Sequence, residues 1–358
     1  MAVGKVRKFF IHLMVGANIA SIIVMFLVGY SGKLNPADHP IFSCMGLFFP
    51  ILLLINLLFL LFWAFVRLRL VIVPIIGFLV CYQPLSTYLP LHFFQDPPAE
   101  ATLKVLSYNV KEFEIGRDDG LPVHKASQYI LDSQADIVCL QEVVLGNPYL
   151  IPALDAYPWK TDMPGDRSGG LVVLSKYPIL KKERIPYPSQ GNLSMAVTID
   201  IDGEKITVIN NHFQTSGLTI EDKKDFSDMV GGTNRQELHR ESKHLLTVLG
   251  RSAAKRAGQV DKVAAYVHEH QGQPLLLCGD FNETPISYSH ETFAKLLTDC
   301  FVTSGHGVGW SYNSNRIHVR IDNIFCSHHW QPLKCEIDTK IHASDHYPII
   351  CHLKKHDN

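Results

Sequence analysis

Leu275-Leu276-Leu277-Cys278-Gly279-Asp280-Phe281-Asn282 is an apolar run of strand length that stops at a glycine and hands over to an acid and a carboxamide. Short apolar runs bounded by turn residues read as buried strands. The same form recurs outward from this segment in both directions. It appears in Leu106-Ser107-Tyr108-Asn109, Cys139-Leu140-Gln141-Glu142, Ile209-Asn210-Asn211-His212, Val319-Arg320-Ile321-Asp322 and Ser344-Asp345-His346. A layered sheet brings such strand ends to one rim. Carboxylates, carboxamides and imidazoles gathered there are wasted as core but suit an oxygen-rich metal site with an acid/base pair beside it.

Apolar runs of strand length occur at Leu103 to Tyr108, Asp136 to Leu140, Gly170 to Leu174, Leu193 to Ile201, Lys205 to Asn210, Pro274 to Cys278, Arg320 to Phe325 and Tyr347 to Leu353. Helix-like stretches fall between them, at Val123 to Ser133, Asn234 to Glu269 and Ser289 to Leu297, the middle one interrupted by Gly250 and Gly258. The pattern predicts a layered α/β fold without internal repeats. The polar segment Ser216 to Gly232 reads equally as a lid or as a plain surface loop.

The order and wording of these motifs resemble the endonuclease/exonuclease/phosphatase superfamily over about Leu103 to Leu353. Gly279-Asp280-Phe281-Asn282 and Ser344-Asp345-His346 are the most specific elements. Arg320-Ile321-Asp322 and Ser168-Gly169-Gly170-Leu171-Val172-Val173-Leu174-Ser175-Lys176 also match. The resemblance implies a four-layer α/β (α+β) sandwich with two mixed β-sheets packed face to face and the site at one end. It implies Glu142 as the main metal-binding carboxylate, Asn109 as a ligand or ligand-positioning amide, and Asp345 assisting on the metal side. Mg²⁺ is the expected ion and Mn²⁺ its substitute, because hard oxygen donors that leave water on the ion match their preference.

By the same resemblance His346 acts on the scissile phosphate or the attacking water, and Asp322 fixes its tautomer. Asp280 orients or deprotonates the water, Asn282 holds a phosphate oxygen and His212 donates to the phosphate. Whether Asp280 or the Asp322–His346 pair is the base stays open. Arg320 is read either as a phosphate contact or as the partner of a surface carboxylate. Asn210-Asn211-His212 is similar to the element of the sphingomyelinase, inositol phosphatase and deoxyribonuclease branches. Asn323 after Ile-Asp, Glu283 after Asp280-Phe281-Asn282 and the long stretch from Ser216 to Gln273 depart from the pattern and put the substrate in doubt. Arg251, Lys255, Arg256 and Lys262 either shape a pocket, lie on anionic headgroups or form a solvated helix face.

The N-terminal part is of another kind. Apolar runs at Phe9 to Val28, Ile41 to Val66 and Leu70 to Leu91 are each long enough to cross a hydrocarbon core of ~30 Å, so three spans are expected. Pro74, Gln83 and Pro84 interrupt the third. Lys5, Arg7 and Lys8 before the first span, and Arg67 and Arg69 between the second and third, place both segments in the cytoplasm. An odd number of spans then predicts an integral membrane protein with its catalytic domain on the extracytoplasmic side. Residues 1–95 are thus read as the anchor, 96–102 as a polar, Pro-rich linker and 103–358 as the catalytic domain.

Six of the 33 basic residues and one of the 34 acidic residues lie up to Gln95, which leaves 27 and 33 after it and a formal charge of −6. A basic face of the kind that binds nucleic acid non-specifically is absent at the level of bulk charge. Of the eight cysteines none forms a Cys-x-x-Cys pair, so no zinc site is suggested, while Cys300, Cys326, Cys335 and Cys351 could pair in an oxidising compartment. Three function classes follow. The first is a phosphoesterase acting on phospholipid or sphingolipid headgroups or other phosphorylated molecules, the second an extracytoplasmic nuclease, and the third a non-catalytic binding module.

Overall fold

The structure is a computed structural model and describes residues 2–93, 100–116, 120–165, 169–189, 191–219, 235–314 and 317–356. Helices α1 (Ala2–Gly29) and α3 (Phe49–Val66), with the short α2 (Pro40–Ser43) between them, form most of the anchor. The stretches Lys5–Lys33 and Pro40–Val66 are long and apolar enough to cross a membrane. The third expected span is not one straight helix. α4 (Ile72–Val80) and α5 (Tyr82–Tyr88) belong to two halves that meet at a bend of 70°. Pro84 accounts for the bend, since it has no N–H for the carbonyl four residues earlier. That carbonyl, on Val80, is taken instead by the Tyr30 hydroxyl at 3.1 Å.

Polar side chains hold the anchor together from inside. Asn18 donates to Asn56 (3.3 Å), Ser21 donates to the same Asn56 oxygen (3.0 Å), and the Trp63 ring N–H donates to Asn18 (3.1 Å). Buried away from water, such groups pair across helices.

The C-terminal domain opens with β1 (Leu103–Asn109), α6 (Lys125–Ser133), β2 (Ile137–Gln141), α7 (Ile151–Leu154), β3 (Trp159–Pro164) and β4 (Gly170–Ser175). It continues with β5 (Ile179–Arg184), β6 (Leu193–Ile201), β7 (Glu204–His212), α8 (Arg235–Glu269), β8 (Leu275–Asp280) and α9 (Tyr288–Ala294). It closes with β9 (Thr298–Asp299), α10 (Cys300–Ser304), β10 (Tyr312–Ser314), β11 (Ile317–Val319), β12 (Asp322–Cys326), β13 (Trp330–Ile337) and β14 (Ile349–Lys355).

Two six-stranded sheets result, ordered β13-β14-β1-β2-β4-β3 and β5-β6-β7-β8-β12-β9. Each has one parallel pair at its centre, β1 with β2 and β7 with β8, and is otherwise antiparallel. Their facing sides share one core that includes Val105, Cys139, Val173, Met195, Val208, Cys278 and Ile324. α6 and α7 cover the outer side of the first sheet, α8 and α9 that of the second. This is the expected four-layer sandwich.

The strands that sequence patterning passed over lie at edges. β3 and β5 carry polar, exposed residues, so they have no apolar run to read. α8 runs unbroken through Gly250 and Gly258. All eight cysteines are free and buried, including the cross-strand neighbours Cys335 and Cys351, so the disulfides left open by the sequence are not made. Residues 94–95 at the end of the expected anchor, 96–99 of the expected linker and 220–232 of the expected lid lie outside the described residues.

The N-terminal helices pack on the C-terminal domain. Met25, Val28, Phe49 and Cys81 form one apolar cluster with Ile286. Leu91 makes a β-bridge to His306. Ser287, the N-cap of α9, lies against Gly32.

Candidate active site

The parallel pairs place the C-terminal ends of β1, β2, β7 and β8 at one rim, and antiparallel β12 enters at that rim. The register sets His212 beside Asp280 and Asp280 beside Asp322. Asn109 lies beside Gln141 in the other sheet, one residue before Glu142. The backbone here depends on residues that tolerate left-handed conformations. Gly279 has φ +133°, and a Cβ on it would fall 2.0 Å from the Asn211 carbonyl oxygen, so only glycine lets β8 run this close to β7. Gly169, at φ +52°, lies against the backbone of Glu142, where a Cβ would be 2.4 Å from the carbonyl carbon. Glu142 and Asn282 themselves have φ +58° and +53°, and Lys111, Glu112 and Phe113 have φ of 45°, 51° and 58°. Such strained non-glycine residues concentrate at functional sites.

The side chains converge on Asp280, which is buried. Its Oδ2 accepts from Asn109 Nδ2 at 3.1 Å, and the same amide donates to Glu142 at 3.0 Å. His212 Nε2 is 3.6 Å from Glu142 Oε1 and 3.8 Å from Asp280 Oδ2. His346 Nε2 approaches Asp280 Oδ2 at 3.7 Å from the other side, while its Nδ1 is 2.8 Å from Asp322 Oδ2. The Ser311 hydroxyl fixes Asp322 by accepting its backbone N–H at 2.9 Å. Asn282 N–H donates to Asp280 Oδ1 at 2.8 Å and its side chain donates to the Phe213 carbonyl at 3.1 Å.

Burial pushes the Asp280 carboxyl up to about 6, with Asp322 adding to the rise and His346, His212 and the Asn282 N–H opposing it. Burial pulls the other way on His346, but Asp322 and Asp280 outweigh it and hold the ring up at about 10. These neighbouring carboxylates favour the protonated ring, the form in which both nitrogens donate.

Two sequence-predicted positions make contacts that the sequence did not indicate. Asp345 lines the cleft but, among the described residues, belongs to neither acid–histidine cluster there; Lys111 Nζ holds it at 3.1 Å. Arg320 is buried and turned away from the cleft, donating to the carbonyls of Val308 (2.9 Å) and Thr87, with its guanidinium 4.5 Å from the Phe301 ring. Burial pulls its pKa down to about 10. It is neither a phosphate contact nor the partner of a surface carboxylate, but a clamp between anchor and domain. Arg256 is not on a solvated face either: it is buried and pairs with Glu283 at 2.6 Å.

The sequence reading gave no role to Gln141 and Asn210. Gln141 Nε2 donates to Asn210 Oδ1 at 2.8 Å, and Asn210 donates to the carbonyls of Leu140 (2.9 Å) and Val172 (3.0 Å), which ties the two sheets together under the site. Their signal was present, since both are polar residues inside otherwise apolar strands, where a group without a partner is costly.

Glu142, His212 and Asp280 offer ligand atoms within 4.8 Å of one another, as do Asp280, Asp322 and His346. Among the described residues His212 Nε2 and Asp322 Oδ1 are buried without a hydrogen-bond partner. Buried polar atoms left so call for a bound group. The donors around Glu142 and Asp280 fit a divalent cation, and the two histidines fit an anion beside it. Asn109, with its NH₂ toward both carboxylates and its oxygen accepting Lys111 N–H at 3.1 Å, orients the acids rather than binding the ion in this rotamer.

A profile described as "Endonuclease/Exonuclease/phosphatase family" matches residues 106–346. A second, described as "Domain of unknown function (DUF8431)", matches residues 7–88. No curated protein matches the chain. Among solved structures, the human Nocturnin catalytic domain with bound sulfate anion is similar at 16% identity and a TM-score of 0.51, covering 74% of this chain and 97% of that one. An endonuclease/exonuclease/phosphatase family protein from Bacteroides thetaiotaomicron follows at 19% identity and TM-score 0.50, with 70% and 97% covered. An endonuclease/exonuclease/phosphatase from Beutenbergia cavernae is at 17% and 0.50, with 73% and 72% covered. At these identities the likeness is one of fold.

Proposed function

Since the chain belongs to the endonuclease/exonuclease/phosphatase family, whose profile spans residues 106–346, we propose that it is a membrane-anchored, Mg²⁺-dependent phosphoesterase acting on phosphodiester or phosphomonoester bonds, lipid headgroups foremost. Mn²⁺ substitutes for Mg²⁺. The observation that carries the reading is the shared position of Asp280, between Glu142 and His212 on one side and the His346–Asp322 pair on the other.

Glu142, oriented by Asn109, would hold the cation, which when bound supplies a Lewis acid for the phosphoryl oxygens. Asp280, raised toward neutrality and held by Asn282 N–H, is the group suited to orient a water and take its proton. His346, kept protonated by Asp322, donates to the phosphate or the leaving oxygen. His212 offers its unpartnered Nε2 to another phosphoryl oxygen. In-line displacement needs these things: a positioned nucleophile and charge neutralised around the phosphorus.

Orientation in the membrane is supported by charge. The catalytic domain packs at the Phe49 end of α3, and Arg67 follows that 18-residue helix at its other end, roughly 27 Å away at 1.5 Å per residue. With positive residues inside, the domain lies outside the cytoplasm. A panel of sphingomyelin-like and phosphatidyl substrates against plasmid DNA, all with Mg²⁺, tests the assignment. Turnover of DNA alone would replace the lipid reading with an extracytoplasmic nuclease.

A further inference from the structure

The cleft above the catalytic strand ends is not built by the catalytic domain alone. Its volume is about 370 Å³, with Glu142, Asp280, Asn282 and His346 at the reacting end. The side facing them includes Ser43, Cys44 and Leu47, residues of the segment between the first two membrane helices. That segment is held against the domain by backbone contact: a Cβ on Gly46 would fall 2.0 Å from the Ile286 carbonyl oxygen. The lining between the two ends is largely hydrocarbon, from Leu47, Leu245, Leu249, Ala253, Ile317 and Val319.

Charge narrows the choice of occupant. Arg256 is the one Lys or Arg among the described lining residues, and Glu283 already neutralises it at 2.6 Å. A groove for a nucleic-acid strand neutralises successive phosphates with free cations; among the described residues this one has hydrocarbon in their place. The outer side of the same segment carries exposed Ile41, Phe42 and Phe48, directly before α3. One short segment thus carries both exposed apolar residues and residues that line the cleft.

We infer that the anchor's interhelical segment is a wall of the active-site cleft and that the substrate is a phosphorylated amphiphile. Its phosphoester sits at Asp280 and His346, and the first methylenes of its hydrocarbon chain lie along Leu47, Leu249 and Val319. This rests on the phosphoesterase reading above and adds to its lipid-headgroup substrate a hydrocarbon chain that enters the cleft along a wall supplied by the N-terminal helices. The volume falls at the small end of ligand sites, about 300–1,000 Å³, so it receives the phosphorylated end and the start of a chain whose remainder leaves toward the bilayer.

The test uses the full chain in lipid nanodiscs with Mg²⁺, titrated with ethyl, butyl, hexyl and octyl phosphate against empty discs. Burying a methylene is worth about 0.8 kcal/mol, so Kd should fall about fourfold per methylene until the groove is filled. Leu47→Gln and Leu249→Gln should each flatten that slope, whereas Leu180→Gln, on the exposed edge strand β5, should keep it. Melting curves on both cleft variants separate a lost slope from a lost fold. A flat series in the parent protein, a slope retained in both cleft variants, or an oligonucleotide that competes as well as octyl phosphate would each overturn the inference. Hydrolysis of the matching alkyl p-nitrophenyl phosphates is followed in parallel. A slope without any hydrolysis would remove the enzymatic reading and leave the amphiphile site standing.

Discussion

Two buried histidine–aspartate pairs in this molecule have nearly the same separation and opposite meanings, one joined through the ring Nδ1 and the other through Nε2. His346 and Asp322 lie 2.8 Å apart at the cleft, and His290 and Asp299 lie 2.7 Å apart beneath α9. The first has a free edge: its Nε2 faces Asp280 at 3.7 Å and lines the cavity. The second is closed in, its ring 5.4 Å from that of Phe325 and its partner engaged as the N-cap of α10, accepting Val302 N–H at 2.9 Å. α9 also presses its N-cap Ser287 against Gly32 of the anchor. A His–Asp pair is therefore not a catalytic signature by itself. What makes one is access to substrate and a third group placed to share the chemistry.

The largest effects should come from taking the site apart. EDTA should abolish turnover and Mg²⁺ or Mn²⁺ restore it, while Zn²⁺ alone should not, because the donors are oxygen-rich and lack a cysteine cluster. Restoration by Zn²⁺ only, in a metal-replacement assay, would point to another enzyme class. Glu142→Gln, Asp280→Asn and His346→Ala should each lower kcat by at least ~10²-fold with the melting curve unchanged. Near-normal rates in all three would falsify the role given to the first pair.

His290→Ala should do the reverse. Leaving Asp299 buried without its partner costs about 3–5 kcal/mol, visible as an earlier thermal transition, while kcat measured well below that transition stays within about threefold. A hundredfold loss of kcat in a fully folded His290→Ala protein would erase the distinction between the two pairs.

The pairs should also part in pH. His346 is held up at about 10, chiefly by Asp322 against the pull of burial. A rate that needs the imidazolium is then sustained across neutral pH and lost as pH rises through that value. Asp322→Asn should move this alkaline limb of the kcat profile down by at least ~1 unit. Asp299 shows the opposite sign: burial pushes its carboxyl up, but His290, Arg320 and the Val302 N–H outweigh it and hold it below the usual carboxylate range. Its stabilisation is complete above the ordinary pKa of ~3.9 and is lost as pH falls through the lower folded value. The difference in Tm between the parent and Asp299→Asn should therefore shrink as pH drops toward that value. A constant difference would mean that the pair is held by packing rather than by charge.

Much of this was legible along the chain. The central strands could be read because both of their faces are buried, which leaves continuous apolar runs punctuated by polar ends. Glu142, His212, Asp280, Asn282, Asp322 and His346 all sit at those ends and meet in space because two parallel pairs align the rims. Edge strands escaped, since solvent on one side lets Lys181, Lys182 and Glu183 of β5 stand where apolar residues would otherwise mark the strand. Gln141 and Asn210 escaped because one polar residue within a strand does not announce which partner across the sandwich will satisfy it.

The sequence by itself determined the apolar N-terminal helices and the set of acids, amides and imidazoles at the strand ends, all properties of local composition and period. Tertiary structure alone decided which of these groups share a cavity. It sent Arg320 to the Thr87 carbonyl, 233 positions away, tied Asp345 to Lys111, buried Arg256 against Glu283, and bent the third apolar segment by 70°. It also brought Ser43, Cys44 and Leu47 of the anchor into the catalytic cleft. A side chain's type fixes what it can bond with, whereas its actual partner is set by which distant segment supplies the missing donor, acceptor or apolar surface, and that depends on the packing of the whole chain.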